Sequence, residues 1–136
     1  MVRALCLCLL SLAVTGCQSP PEQVPLKPLP EDGNLVQPFA DLATRARVQA
    51  SAANEAFFVN RWSDLEDAAR GLEQTARFLG RSSDVPARHK DLLPVEAGDL
   101  GKEANKLRDA AKAQDATKAN ESLQQINLKV RELRPD

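Results

Sequence analysis

The side chains able to do covalent, metal or proton chemistry are few: three cysteines (Cys6, Cys8, Cys17), one histidine (His89) and one methionine (Met1), with no tyrosine. Cys6 and Cys8 lie in an apolar run from Ala4 to Val14 that only Ser11 interrupts, and Cys17 follows Val14-Thr15-Gly16. A reactive or metal-bound cysteine needs a base or further ligands beside it, and no such pattern accompanies any of the three. His89 stands between Pro86 and Pro94, beside Arg88 and Lys90 and away from every apolar stripe. It reads as a solvated side chain and not a ligand.

Carboxylates gather in two stretches: Asp64, Glu66, Asp67 and Glu73, then Asp99, Glu103 and Asp109. Inward carboxylates on paired helices hold two metals when Glu-x-x-His motifs supply the imidazoles; no such motif occurs. Basic residues follow at helical spacing instead, Glu66 with Arg70, Glu73 with Arg77 and Glu103 with Lys106, which is the pattern of a solvated, ion-paired face. Ser82-Ser83 lacks an accompanying catalytic His or Cys, and no glycine-rich phosphate loop follows a strand. The expectation is no catalytic, metal or cofactor-binding residue, and no enzyme.

The elements that carry these residues divide the chain into three. It has 136 residues, 43% hydrophobic, 27% charged and only 4% aromatic, with 18 Lys+Arg against 19 Asp+Glu. That length suits one domain, and the balance lacks the basic footprint of a nucleic-acid binder. Residues 1–16 have Arg3 ahead of an apolar run too short for a permanent membrane helix, which needs about 20 residues, and fit a removable signal peptide. Val14-Thr15-Gly16-Cys17 then resembles the lipobox of bacterial lipoproteins. The resemblance implies cleavage between Gly16 and Cys17, lipid on the Cys17 sulfur, and acylation of the new N-terminus. Anchoring then rests on acyl chains, each buried CH₂ contributing about 0.8 kcal/mol. Losing Cys6, Cys8 and Arg3 leaves no free thiol and 17 basic against 19 acidic side chains, a charge of −2. No polybasic patch follows the anchor. Gln18 stands where an aspartate favours inner-membrane retention in some Gram-negative lipoproteins, so the same resemblance implies a cell-envelope location, the outer membrane, facing the periplasm or the surface, ahead of the inner.

Residues 17–37 form the second part, the lipidated cysteine and a proline-rich linker. Pro20, Pro21, Pro25, Pro28 and Pro30, with Pro38 just beyond, remove donors and fix φ, so this stretch is expected to be a disordered, extended spacer rising about 3.1 Å per residue. A proline-rich ligand for a partner is the other use of such a stretch.

Residues 38–134 carry four apolar stripes at helical spacing. They are Phe39-Ala43-Ala46-Ala50-Ala53-Phe57, Trp62-Leu65-Ala69-Leu72-Ala76-Leu79, Ala97-Leu100-Ala104-Leu107-Ala111 and Ala119-Leu123-Ile126-Val130-Leu133. Ser63 and Glu66 suggest a capping box, and Gly80 a left-handed helix end. Pro94 suits the start of the third helix, and Asp115 the N-cap of the fourth. Gly98 and Gly101 each weaken the third helix by about 1 kcal/mol relative to Ala, or mark a close backbone approach. Trp62, near Phe57 and Phe58, is assigned to the core. The fold class is all-α, an up-down-up-down antiparallel four-helix bundle after a signal peptide and tether.

The patterns Trp62-Ser63-Asp64-Leu65-Glu66-Asp67-Ala68-Ala69 and Leu107-Arg108-Asp109-Ala110-Ala111-Lys112-Ala113-Gln114-Asp115-Ala116 make the body similar to the c′-type and b-type cytochrome bundles of the periplasm. In the c′ family the last helix carries Cys-x-x-Cys-His for haem; here Gln125 to Arg134 holds neither Cys nor His. The b-type bundles use an axial Met and His, for which the chain offers only Met1, in the leader, and His89. The resemblance thus implies a bundle without haem. Two functions follow as expectations. The first is a membrane-anchored interaction or structural module, meeting a protein or another envelope component and open to dimerisation. The alternative is a small-molecule or metal-binding sensor that reuses the inter-helix cavity.

Overall fold

A computed structural model describes Leu29 and residues 36–134. The leader, the Gly16–Cys17 junction and most of the proline-rich stretch lie outside the described residues. Four helices follow in order, α1 (Phe39–Phe58), α2 (Trp62–Leu79), α3 (Leu93–Ala113) and α4 (Ala116–Glu132). Helix α1 packs against α2 and α4, and α3 packs against the same two, so each helix has two neighbours around one core. The described residues include no strand, only one isolated parallel bridge between Pro38 and Ser83.

The apolar stripes become the core because each spacing of 3 or 4 returns a side chain to the same helix face. Phe39, Leu65, Leu72, Leu79, Leu100, Leu107 and Ile126 have no or almost no exposed surface. Between them lie Ala43, Ala46, Ala50, Ala53, Ala69, Ala76, Ala104 and Ala119, all buried. Small residues facing large ones let the helices interlock at close range. At the aromatic end the stripe frays. Trp62 and Phe57 are half-buried and meet edge to face at 6.1 Å, whereas Phe58 is 79% exposed and not core.

The connections depart from the sequence expectation at three points. Helix α2 begins after Arg61 with no side-chain cap, so the Ser63–Glu66 capping box does not form. The turn before it does the work instead: Asn60 takes φ 55°, Asn60 N donates to Phe57 O, and Arg61 N donates to Ala56 O. Asn tolerates that left-handed geometry better than other side chains. Gly80 is right-handed, φ −62°. The last turn of α2 tightens through Arg81 N to Phe78 O and Ser82 N to Leu79 O, bonds of the i→i+3 type that need no positive φ; Asp84, φ 54°, takes the left-handed position later. Leu29, in the stretch expected to be an unpacked spacer, is buried in the core cluster. The following Pro30 biases Leu29 towards extended backbone, and burying its side chain is worth about 1.5–3 kcal/mol.

The expectations for Asp115 and Pro94 hold. Asp115 caps α4, accepting from Lys118 N at 3.1 Å, and that bond holds its carboxyl below the ordinary value. Pro94 occupies the first turn of α3. Of the two α3 glycines, a Cβ at Gly98 would meet nothing within 4 Å, and one at Gly101 would make an ordinary 3.6 Å contact with Ala76. The close approach lies elsewhere. A Cβ at Gly71 would fall 2.7 Å from Gln49 Nε2, and Gln49, buried between α1 and α2, accepts at Oε1 from Thr75 Oγ1 at 2.8 Å.

Candidate functional site

Cys17 and Gly16, the residues assigned to lipidation and cleavage, lie outside the described residues. The other residues weighed for chemistry are all placed.

The carboxylates pair with cations, mostly as their spacing implied. Glu66 meets Arg70 at 2.5 Å, Glu103 meets Lys106 at 2.8 Å, and Asp99 meets Lys102 at 3.1 Å and Lys129 at 3.6 Å. Hydrogen bonding from Lys102, then the charge of Lys129, holds Asp99 below the ordinary carboxylate range. Glu73 differs: its partner is Arg108 of α3 at 2.7 Å, not Arg77. The turn position of Glu73, next to core residue Leu72, aims it at the neighbouring helix, and spacing along one helix cannot reveal a partner on another. Glu73 Oε1 and Arg108 Nε are buried without hydrogen bonds among the described residues. Arg77 instead borders a groove of about 650 Å³ between α2 and α3, with Gly98 and Gly101 in its lining. Among the described residues no group of three or more His, Cys, Asp or Glu is placed to hold a metal ion.

His89 overturns its sequence reading as a solvated side chain. It is 4% exposed, with its ring 5.0 Å from that of Phe39 and tilted 32° to it. The prolines that bracket it do not keep it extended. Successive turns, His89 N to Pro86 O and Leu93 N to His89 O, fold residues 86–93 under the start of α1. Arg88 Nε donates to His89 Nε2 at 3.0 Å, which makes Nε2 an acceptor and leaves the proton on Nδ1, 2.9 Å from Glu96 Oε2. The Arg88 guanidinium also donates to the Arg134 carbonyl, tying the end of α4 to the same knot. A bare sequence shows the lone imidazole but not Phe39 and Glu96 converging on it.

This arrangement also tests the haem that the cytochrome resemblance brings to mind. Haem iron takes an axial imidazole, thiolate or thioether. Residues 36–134 contain no Cys or Met, and both nitrogens of the one imidazole are engaged by protein groups at the end of the bundle. These residues do not fit haem.

Two surface features remain. Phe58 and Val59, 79% and 54% exposed, form an apolar tip at the α1–α2 turn, backed by Phe57 and Trp62. Between α1 and α4 runs a groove of about 470 Å³. No described helix is long and apolar enough to cross a membrane. No family model, curated protein or solved structure matches this chain.

Proposed function

We propose that this chain is an envelope lipoprotein whose body, an up-down-up-down antiparallel four-helix bundle, serves as a haem-free interaction or structural module on a proline-rich tether. Lipid on Cys17, after cleavage from Gly16, anchors it, and the outer membrane is favoured over the inner by Gln18. The apolar tip is the observation that carries the interaction role. A monomer gains nothing by leaving a phenylalanine 79% exposed beside an exposed valine, and exposed apolar patches of this kind mark contact sites. Helix α1 has 20 residues, so at 1.5 Å per residue the tip stands about 30 Å from the end where the tether joins. That position presents it away from an anchor.

Two measurements test the reading. Cys17→Ser should leave the chain unprocessed or release it from the membrane fraction; a processed, membrane-bound Cys17→Ser protein refutes the anchor. A photo-crosslinking residue at position 58 should yield one discrete adduct in cells, lost on Val59→Asp. Absence of any adduct at position 58 refutes the tip as the contact. The sensor alternative is weaker, since the engaged nitrogens of His89 leave it no ready imidazole ligand.

A further inference from the structure

The α1/α4 groove gathers three arginines and no carboxylate. Elsewhere in the body cations meet carboxylates: Arg61 with Asp64, Arg70 with Glu66, Lys106 with Glu103 and Lys118 with Asp115. Arg77 makes no ion pair among the described residues; one groove it borders includes Glu73, and another holds only Arg81 as a second cation. Along α1 and α4, Arg47, Arg131 and Arg134 line one groove, no carboxylate lines it, and none of the three makes an ion pair among the described residues. Each helix supplies them by the same spacing. Positions 47, 50, 51 and 54 share a face of α1, and 127, 130, 131 and 134 recur at that spacing along α4 and just past its end.

The far end of the groove is fixed by a reciprocal amide pair, Asn54 Nδ2 to Asn127 Oδ1 at 3.0 Å and Asn127 Nδ2 to Asn54 Oδ1 at 3.2 Å. Ala50 and Val130 lie in its lining, and the Ser51 hydroxyl beside them makes no hydrogen bond among the described residues. Three guanidiniums in one concavity, with no carboxylate beside them among the described residues, repel one another unless an anion joins them. A carboxylate is planar and singly charged, and one guanidinium fork satisfies it. Three forks, from α1, from α4 and from just past the end of α4, suit an anion with more charge and tetrahedrally arranged oxygens.

We propose that the α1/α4 groove binds a phosphate ester through Arg47, Arg131 and Arg134, with the Ser51 hydroxyl available to an ester or alcohol oxygen. The phosphate comes either from a lipid headgroup or from a soluble ester. The site does not depend on the lipid anchor, so its test stands apart from the fate of Cys17. The full chain in neutral detergent is titrated in phosphate-free buffer with glycerol 3-phosphate, with monomeric short-chain phosphatidylglycerol, and with sodium chloride at matched ionic strength. Binding is read by calorimetry and by the shift in melting temperature.

Saturable one-to-one binding of a phosphate compound is expected. Arg47→Gln and Arg131→Gln, both exposed and both replaced by a good helix former, should each weaken it tenfold or more with helix content unchanged. Tighter binding of the lipid assigns the headgroup as source, and tighter binding of glycerol 3-phosphate assigns a soluble ester. Responses equal to those with sodium chloride, or affinities unaltered in both variants, overturn the site.

Discussion

The Glu73–Arg108 pair offers the sharpest test of the packing. Its Oε2–Nη1 distance is 2.7 Å, with the Glu73 side chain 10% exposed and that of Arg108 25% exposed. Because Glu73 Oε1 already lacks a hydrogen bond, Arg108→Met would strand a carboxylate with neither oxygen partnered. Removing one partner of a fully buried pair costs about 3–5 kcal/mol; the partial exposure of Arg108 lets water in and lowers this to about 2–3 kcal/mol. The reverse change is milder. Glu73→Leu leaves a guanidinium that can turn to water or to Asp109, 3.7 Å away, at about 0–1 kcal/mol. The double variant Glu73→Leu/Arg108→Met removes both charges and should lie within about 1 kcal/mol of the parent. With about 4–8 °C per kcal/mol for a body this size, Arg108→Met should melt roughly 10–20 °C low and the double variant within several degrees of the parent. Urea titrations followed by helical circular dichroism give the three free energies. If Arg108→Met is no worse than Glu73→Leu, or the double variant equals the sum of the singles, the pair is not buried as described.

The remaining expectations are simpler. His89→Ala removes a buried ring together with its bonds to Arg88 and Glu96, so it should cost about 2–4 kcal/mol in urea titrations; an unchanged midpoint would mean the ring is solvated. Gly98→Ala should raise stability by about 0.5–1 kcal/mol, because its Cβ enters open space and the helix gains propensity, and a lowered melting temperature would contradict the open geometry. Asp115→Ala should lower the melting temperature at neutral pH. The parent's Asp115 is held below its unfolded value by the Lys118 amide, so its contribution is full above about pH 4 and fades as pH falls through the folded value. The gap between parent and variant should close in acid, and a gap that persists there would deny the cap.

What the sequence disclosed was whatever depends on a single helix. Spacing of 3 and 4 identified Leu65, Ala69, Leu72, Ala76 and Leu79 in α2 and Ala97, Leu100, Ala104, Leu107 and Ala111 in α3, all buried, though it passed over Glu73, Thr75 and Ala110, which are buried too; Asp115 announced its own cap. What it hid depends on two elements meeting. Glu73 has Arg77 at the favoured i+4 spacing, yet the shorter path runs across to α3. His89 looks solvated between prolines until Phe39 closes over it. The glycines worth noticing in the sequence were Gly98 and Gly101, but Gly71 is the one that a neighbouring side chain needs. Ser63 lost its capping role because the turn at left-handed Asn60 starts the helix two residues early, with Arg61 at the N-cap. The arginine groove was invisible for the same reason: Arg47 and Arg131 are 84 positions apart in the chain.

The short bridge at the start of α1 matters most when the chain is pulled. Phe39 N donates to Ser83 O at 2.9 Å and Ser83 N to Gln37 O at 3.0 Å. A helix loaded at its free N-terminus peels, because each bond breaks before the next one feels the force. Here two bonds hold the same short segment, so a pull arriving at residue 36 must break both before α1 is freed. Behind them the Phe39 ring is wedged against His89, whose turn is tied through Arg88 to the end of α4. A pull on residue 36 is therefore transmitted to the first and the last helix at once. The first helix is clamped at the point where the load arrives, and the remainder can unravel only after that clamp has failed.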